Sequence, residues 1–138
     1  MLDIGVIGVG NCGNQVARLA YKDADVPAFL INSSERDLAT IDENLPMRCI
    51  GDLQGSGKDR EEAKKFLKAA CMELVRDEEF ITFMETKQAV FVVSSMGGGT
   101  GSGIAPLLSN IIRQSFSTKD GNQMICILVG VMPKLTEG

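Results

Sequence analysis

The stretch "MGGGTGSGIAP", residues 96–106, decides how we interpret the fold of this chain. It follows an apolar run that predicts a buried strand, and five of its eleven residues are glycine. Glycine loses more backbone freedom on folding than any other residue, so such a run is costly to order. Ile104, Leu108 and Ile111 then recur at helical spacing. A strand that passes through glycines into a helix is typical of a turn whose backbone N–H groups approach an anion.

Predicted strands and helices alternate along the whole chain. The strand segments are short apolar runs without polar alternation, as expected of parallel strands buried on both faces. The alternation predicts an α/β fold: a doubly wound, mostly parallel, Rossmann-like sheet with helices on both faces. The predicted strands are 4–9, 28–31, 47–50, 89–93 and 124–131, and the predicted helices are 14–22, 35–41, 60–76, 78–85 and one marked by 104–112.

The composition narrows the classes of function. With 138 residues, of which 44% are hydrophobic, the chain can bury a core. Its net charge of -4 argues against nucleic acid as a direct partner, because phosphate backbones recruit an excess of Lys and Arg. The absence of histidine excludes histidine metal sites and histidine general bases within these residues.

The cysteines and the hydropathy indicate a compartment. Four cysteines lie far apart, with no C-x-x-C pair, which predicts reduced and mostly buried thiols. No segment reaches the roughly 18 apolar residues of a membrane span, and no basic segment opens a signal peptide. We therefore expect a cytoplasmic protein without a membrane partner.

Three predicted strand-to-helix turns are rich in glycine: residues 8–14, 51–58 and 96–103. In a parallel sheet, the loops that follow the strands all emerge at the carboxyl edge, where ligands bind. Each following helix directs its positive amino end toward that edge. Together, the three turns predict a ligand that carries several phosphates.

Two standard nucleotide motifs match only partly. Residues 8–13 fit the spacing G-x-G-x-x-G, but the NAD interpretation needs an acidic residue at the end of the second strand, where Asn32 stands. The "GSGK" of residues 55–58 suggests a P-loop. The P-loop spacing, however, puts Asp52 in place of the first glycine and Asp59 in place of the magnesium-binding Ser or Thr. Asn32 therefore disfavours an NAD-dependent oxidoreductase, and Asp52 and Asp59 disfavour a P-loop.

The glycine turns resemble those of the tubulin/FtsZ GTPase superfamily. "GGTGSG", residues 98–103, is similar to the signature loop of that family, and "GVGNCGNQV", residues 8–16, is similar to its first nucleotide loop. "INSS" (31–34), "GDLQGSGKD" (51–59) and "VMPKLTEG" (131–138) stand where further family loops follow in order. The resemblance covers the whole chain. Its loops combine features of tubulin with features of FtsZ, and in this they resemble the divergent phage and plasmid members of the superfamily.

The resemblance implies a GTP-binding cytoskeletal protein that polymerises head to tail and hydrolyses GTP at the interface between subunits. It also implies GTP or GDP, with Mg²⁺ near residues 52–58. The second loop lacks the acidic residue of FtsZ, and Gln54 stands where tubulins often carry an acid, so the metal ligands stay unassigned. The residues implied to bind nucleotide are Gly10, Asn11, Cys12, Gly13, Asn14, Asn32, Ser33, Gly98, Gly99, Thr100, Gly101, Ser102 and Glu137.

Residues 1–138 resemble the N-terminal portion of the family's nucleotide-binding domain. The loop that donates catalytic acids in the family lies beyond the matching part, so no catalytic residue is assigned. For these residues alone we predict weak nucleotide binding at best and no turnover. The alternative is a non-polymerising nucleotide-binding module that caps or regulates such filaments. The very apolar fifth strand is predicted to form an exposed sheet edge.

Overall fold

A computed structural model describes residues 3–50, 60–95, 100–118 and 120–131, with side chains described for all of these except 60–64 and 100–103. Strands and helices alternate, and each strand contains a short apolar run. The strands are β1 (Ile4–Val9), β2 (Ala28–Asn32), β3 (Met47–Cys49), β4 (Ala89–Ser95) and β5 (Ile125–Val131). The helices are α1 (Gly10–Ala24), α2 (Glu35–Ala39), α3 (Arg60–Leu74), α4 (Glu78–Glu85) and α5 (Thr100–Ser115).

The five strands form one sheet in the order β3-β2-β1-β4-β5, and all the paired neighbours are parallel. Helices α3, α4 and α5 cover one face of this sheet, and helices α1 and α2 pack on the other. On the first face, the rings of Phe29 and Phe80 meet edge to face with centroids 5.1 Å apart. The predicted doubly wound α/β fold is confirmed.

Two helices begin earlier than their apolar spacing predicts. Helix α1 begins at Gly10 rather than at residue 14, because the glycine-rich segment itself forms the first helical turn. Helix α5 begins at Thr100, so Pro106 lies inside the helix. A proline there has no N–H for the helical hydrogen bond. In both cases glycines that read as a loop are part of the helix.

Strand β5 forms one edge of the sheet, as predicted. The side chains of Ile125 and Ile127 are 52% and 44% exposed, whereas Cys126, between them, is buried on the opposite face. Ile127 pairs in register with Phe91 of β4. The edge therefore presents an apolar side to solvent.

Candidate functional site

The site lies where the order of the strands reverses. Strands β1 and β4 are neighbours in the sheet, and the chain leaves β1 toward β2 on one side and β4 toward β5 on the other. Helix α1 follows β1 directly, helix α5 begins five residues after β4, and the two helices contact each other. Their amino ends therefore share the carboxyl edge of the sheet, at the position where open α/β sheets bind ligands.

Three glycines bring helix α1 against the backbone of the sheet. A Cβ on Gly13 would overlap the carbonyl oxygen of Val93 in β4. A Cβ on Gly8 would lie 2.6 Å from the carbonyl oxygen of Gly13. Gly10 has a φ of 78°, a left-handed conformation that turns the chain from strand into helix and that side chains disfavour. The G-x-G-x-x-G spacing thus reflects close packing of helix and strand at this edge.

The amino end of α1 has no side-chain cap among the described residues, and its first turn contains no acidic residue. Helices α2 and α4 differ, because Ser34 caps the first through the N–H of Asp37 and Asp77 caps the second through the N–H of Phe80, each at 3.2 Å. Uncapped N–H groups and the helix dipole favour a negatively charged group at the start of a helix. The start of α1 is therefore suited to an anion.

Two buried polar atoms near this edge have no hydrogen-bond partner in the described part of the chain: Oδ1 of Asn14 and Oγ of Ser94. Their residues are 3% and 1% exposed. Oδ1 of Asn14 faces β1, 2.9 Å from the position of a Cβ on Gly8. An unpaired buried polar atom costs about 1–3 kcal/mol. Their presence fits an edge that is completed by a bound ligand or by ordered water.

Ser94 was not singled out from the sequence. Two serines that end an otherwise apolar strand were the available signal. That signal alone does not show which of the two faces the core, because the answer depends on the register of β4 within the sheet.

The end of β2 joins the site through a pair of carboxamides. Asn32 is 5% exposed, and its Nδ2 donates to Oδ1 of Asn11 at 2.9 Å. Ser33 follows in the half-buried turn between β2 and α2. Asn11, the second residue of α1, is exposed. The structure therefore brings the predicted first loop and the predicted second loop into direct contact.

A groove of about 220 Å³ lies beside this contact, between α1 and α2, and Asn11, Asn14 and Asp37 are among its lining residues. A larger cavity of about 560 Å³ lies between β3 and α3, next to Phe66 and Glu73. None of the residues that line the larger cavity belongs to α1 or α5. The groove adjoins the contact between Asn11 and Asn32, whereas the larger cavity lies next to Ile50, which directly precedes the predicted third loop.

The four cysteines are unpaired with one another, with Cys12 and Cys49 half-buried and Cys71 and Cys126 buried. Burial raises the pKa of Cys71 to about 11, and it also raises the pKa of Cys126. These two thiols are therefore protonated and unreactive at neutral pH. Cys12 lies in the first turn of α1, within the candidate site.

Part of the predicted site lies outside what the structure describes. Residues 51–59, Gly98, Gly99 and Glu137 fall outside the described residues, and Thr100, Gly101 and Ser102 are described by their backbone as the first turn of α5. Within the described ranges, no group of three or more Cys, Asp or Glu residues is placed to hold a metal ion. Among those same residues, no helix has the length and apolarity needed to cross a membrane.

The chain belongs to the tubulin/FtsZ family: residues 3–138 match the family described as "Tubulin/FtsZ family, GTPase domain". It is 30% identical over 131 residues to the tubulin-like protein TubZ of Clostridium botulinum C phage, a match that covers 95% of this chain. The structure of CetZ from Methanosaeta thermophila superimposes with a TM-score of 0.74 at 25% identity and covers the whole chain. The predicted family is confirmed.

A second similar structure is a protofilament of CetZ2 from Haloferax volcanii with bound GTPγS, which matches 99% of the chain with a TM-score of 0.66. At 23% identity, this likeness concerns the fold alone. The chain spans 34% of the phage TubZ sequence and 39% of the CetZ chain. It therefore corresponds to about a third of the length of these relatives.

Proposed function

We propose that this chain binds the phosphates of a guanine nucleotide at the carboxyl edge of the sheet, between the amino ends of α1 and α5. The observation that carries the proposal is the uncapped start of α1 at the point where the strand order reverses. A phosphate there accepts hydrogen bonds from backbone N–H groups and interacts favourably with the helix dipole. Gly13 supports this interpretation, because its lack of a side chain lets the helix start lie directly on β4.

Membership of the tubulin/FtsZ family supports guanine as the base and a cytoskeletal role. We propose that the complete natural protein is a cytoplasmic GTPase that polymerises head to tail and hydrolyses GTP between subunits. The similarity to the tubulin-like protein TubZ of the phage supports this extension. Because the chain covers about a third of these relatives, we assign no catalytic residue within it.

A magnesium ion belongs to the proposed ligand, since it neutralises charge on nucleotide phosphates. We assign its protein ligands to no residue, because a nucleotide-bound Mg²⁺ needs only one or two oxygen ligands from the protein and its predicted location, residues 52–58, lies outside the described residues. Asn11 and the backbone of the first turn of α1 bind and orient the phosphates in this proposal. Asn32 orients Asn11 through the hydrogen bond between their carboxamides.

Calorimetric titration of the complete natural protein tests the binding proposal. We expect binding of GTP and GDP, weaker binding of GMP, still weaker but measurable binding of guanosine, and little binding of ATP or NAD. A matched pair of variants localises the site: Gly10→Ala and Gly121→Ala both place a side chain at a φ near 80°. Only Gly10→Ala should weaken GTP binding, because Gly121 lies in the turn before β5, and among the described residues no atom beyond its chain neighbours lies within 4 Å of its Cβ position.

Absence of GTP binding at millimolar concentration would refute the proposed function. Equal losses of binding in the two glycine variants would show that backbone strain, and not the site, controls affinity.

Pelleting and light scattering with GTP test polymerisation, and phosphate release tests hydrolysis. Hydrolysis at an interface requires that the rate per subunit rises with protein concentration. A rate per subunit that is independent of concentration would contradict hydrolysis between subunits. Nucleotide binding without polymer would instead identify a module that caps or regulates filaments.

A further inference from the structure

The orientation of the Asn32 carboxamide is determined by the backbone around it. Its Oδ1 accepts hydrogen bonds from the N–H of Ser33 at 2.8 Å and from the N–H of Ser34 at 3.3 Å. An amide group turned the other way would face these two donors with its own NH₂. The Asn32 oxygen therefore faces the turn, and its Nδ2 faces away from it.

The orientation of Asn32 in turn determines the orientation of the Asn11 carboxamide. The Nδ2 of Asn32 is a donor, so the atom of Asn11 that meets it at 2.9 Å must be an acceptor, which is Oδ1. The Nδ2 of Asn11 consequently points to the other side of its carboxamide plane. It donates to no atom in the described part of the chain, and Asn11 is exposed.

We propose that Asn32 is a positioning residue that holds the Asn11 carboxamide with its NH₂ toward the ligand, so that the site selects a hydrogen-bond acceptor, a phosphate oxygen of the nucleotide. This inference rests on the proposed function and adds a specific polarity to the same site. The Asn11 donor lies in the first turn of α1, where the backbone N–H groups are also donors. An oxyanion accepts from all of them at once, whereas a group that donates would meet like polarity.

Asn32 acts through Asn11 in this arrangement and does not touch the ligand. Its Oδ1 is used by Ser33 and Ser34, and its Nδ2 is used by Asn11. The residue is also buried. The effect that Asn32 exerts on nucleotide affinity through its Nδ2 must therefore depend on the presence of Asn11.

A double-mutant cycle in the complete natural protein tests this dependence, with affinities for GTP, GDP and guanosine as the readout. Asn32→Asp keeps an oxygen for the two backbone donors and replaces the NH₂ by a second oxygen. Asn11 must then turn its NH₂ toward the new carboxylate and present its own oxygen to the ligand. The matched control is the double variant Asn32→Asp with Asn11→Ala. It carries the same added negative charge but has no Asn11 carboxamide that could turn.

We expect Asn11→Ala to weaken GTP and GDP binding about tenfold, the size of one hydrogen bond to a charged group. Asn32→Asp should weaken binding at least about fivefold more in the wild-type background than in the Asn11→Ala background. Guanosine binding should change little in any variant.

Equal effects of Asn32→Asp in both backgrounds would overturn the inference, as would an equal loss for guanosine. A further outcome would also overturn the inference: inorganic phosphate that competes with bound GDP as strongly as GTP competes with it. That result would identify a site for free oxyanions. Where Asn32→Asp fails to fold, the cycle of Asn32→Ala with Asn11→Ala makes the same test, because additive losses contradict a relay. Absence of nucleotide binding by the wild-type protein is a different outcome, which refutes the proposed function itself.

Discussion

The guanidinium group of Arg18 donates two hydrogen bonds to the carboxylate of Glu43, with N–O distances of 2.6 and 3.1 Å. Lys22, one helical turn further along α1, lies 2.5 Å from the same carboxylate. The hydrogen bond from Arg18 and, to a smaller extent, the one from Lys22 lower the pKa of Glu43 from its usual value of 4.5 to about 2. These contacts connect the segment between α2 and β3 to helix α1, whose amino end forms the candidate site.

Replacement of Glu43 by glutamine should destabilise the protein near neutral pH. A carboxyl whose pKa is lowered by folding stabilises the folded state above its unfolded pKa, and this contribution is lost as the pH falls through the folded value. The difference in free energy of unfolding between wild type and Glu43→Gln should therefore shrink between about pH 4.5 and pH 2. Urea unfolding at several pH values measures it. The exposed neighbour provides the control Asp42→Asn, and a loss that is equal in both variants would count against the ion pair.

Gly13→Ala distinguishes packing from helix propensity. Propensity alone predicts that alanine stabilises a helix by up to about 1 kcal/mol relative to glycine. The added Cβ would overlap the carbonyl oxygen of Val93, so we expect destabilisation of about 1–3 kcal/mol instead. Chemical denaturation gives the sign, and Cys12→Ala in the same turn is the control for a small substitution. A more stable Gly13→Ala variant would show that α1 does not rest on β4 as described.

Asp77 both caps helix α4 and lies 3.3 Å from Arg48. Loss of a side-chain cap costs about 1 kcal/mol, whereas an ion pair in which Arg48 is largely exposed contributes little. Asp77→Ala should therefore lower the free energy of unfolding by about 1 kcal/mol. Asp77→Ser keeps a capping oxygen and removes the charge, so it should lose much less. Equal losses in the two variants would assign the effect to the ion pair.

Ile127→Lys should reduce aggregation of the polypeptide of residues 1–138. Ile127 lies on the edge strand β5, and a charged residue on an edge strand opposes pairing with other chains. Because the side chain is 44% exposed, the free energy of unfolding should change by no more than about 0.5 kcal/mol. Light scattering over time is the measurement. Leu19→Lys replaces a similarly exposed apolar side chain on α1, and an equal benefit there would mean that the strand edge is not responsible.

Much of the fold was predictable because parallel strands bury both faces. Residues 4–9 and 89–93 read as continuous apolar runs for that reason, and the structure makes them neighbours in the sheet. The start of α1 was predicted wrongly, because the spacing of apolar residues does not report a first turn made of Gly10 and small or polar residues. Gly13 was recognised as part of a motif, but its contact with Val93 was not.

For the polar side chains of the site, the sequence likewise predicted the location but not the contacts. That Asn11 and Asn32 lie near one edge follows from strand and helix order. Their hydrogen bond, and the direction in which it turns the Asn11 donor, depend on two backbone N–H groups in the turn after β2. No spacing along the chain encodes that orientation.

The amino-acid sequence by itself determined the alternation of strands and helices, the glycine-rich turns and the membership of the tubulin/FtsZ family. Local apolar runs and glycines are sufficient for this, because they act within a few residues of one another. Only the tertiary structure decided where individual polar atoms lie at this edge, including the unpaired oxygen of Asn14 and the donor of Asn11. These depend on contacts between segments that are distant in sequence, and packing alone brings such segments within hydrogen-bonding distance.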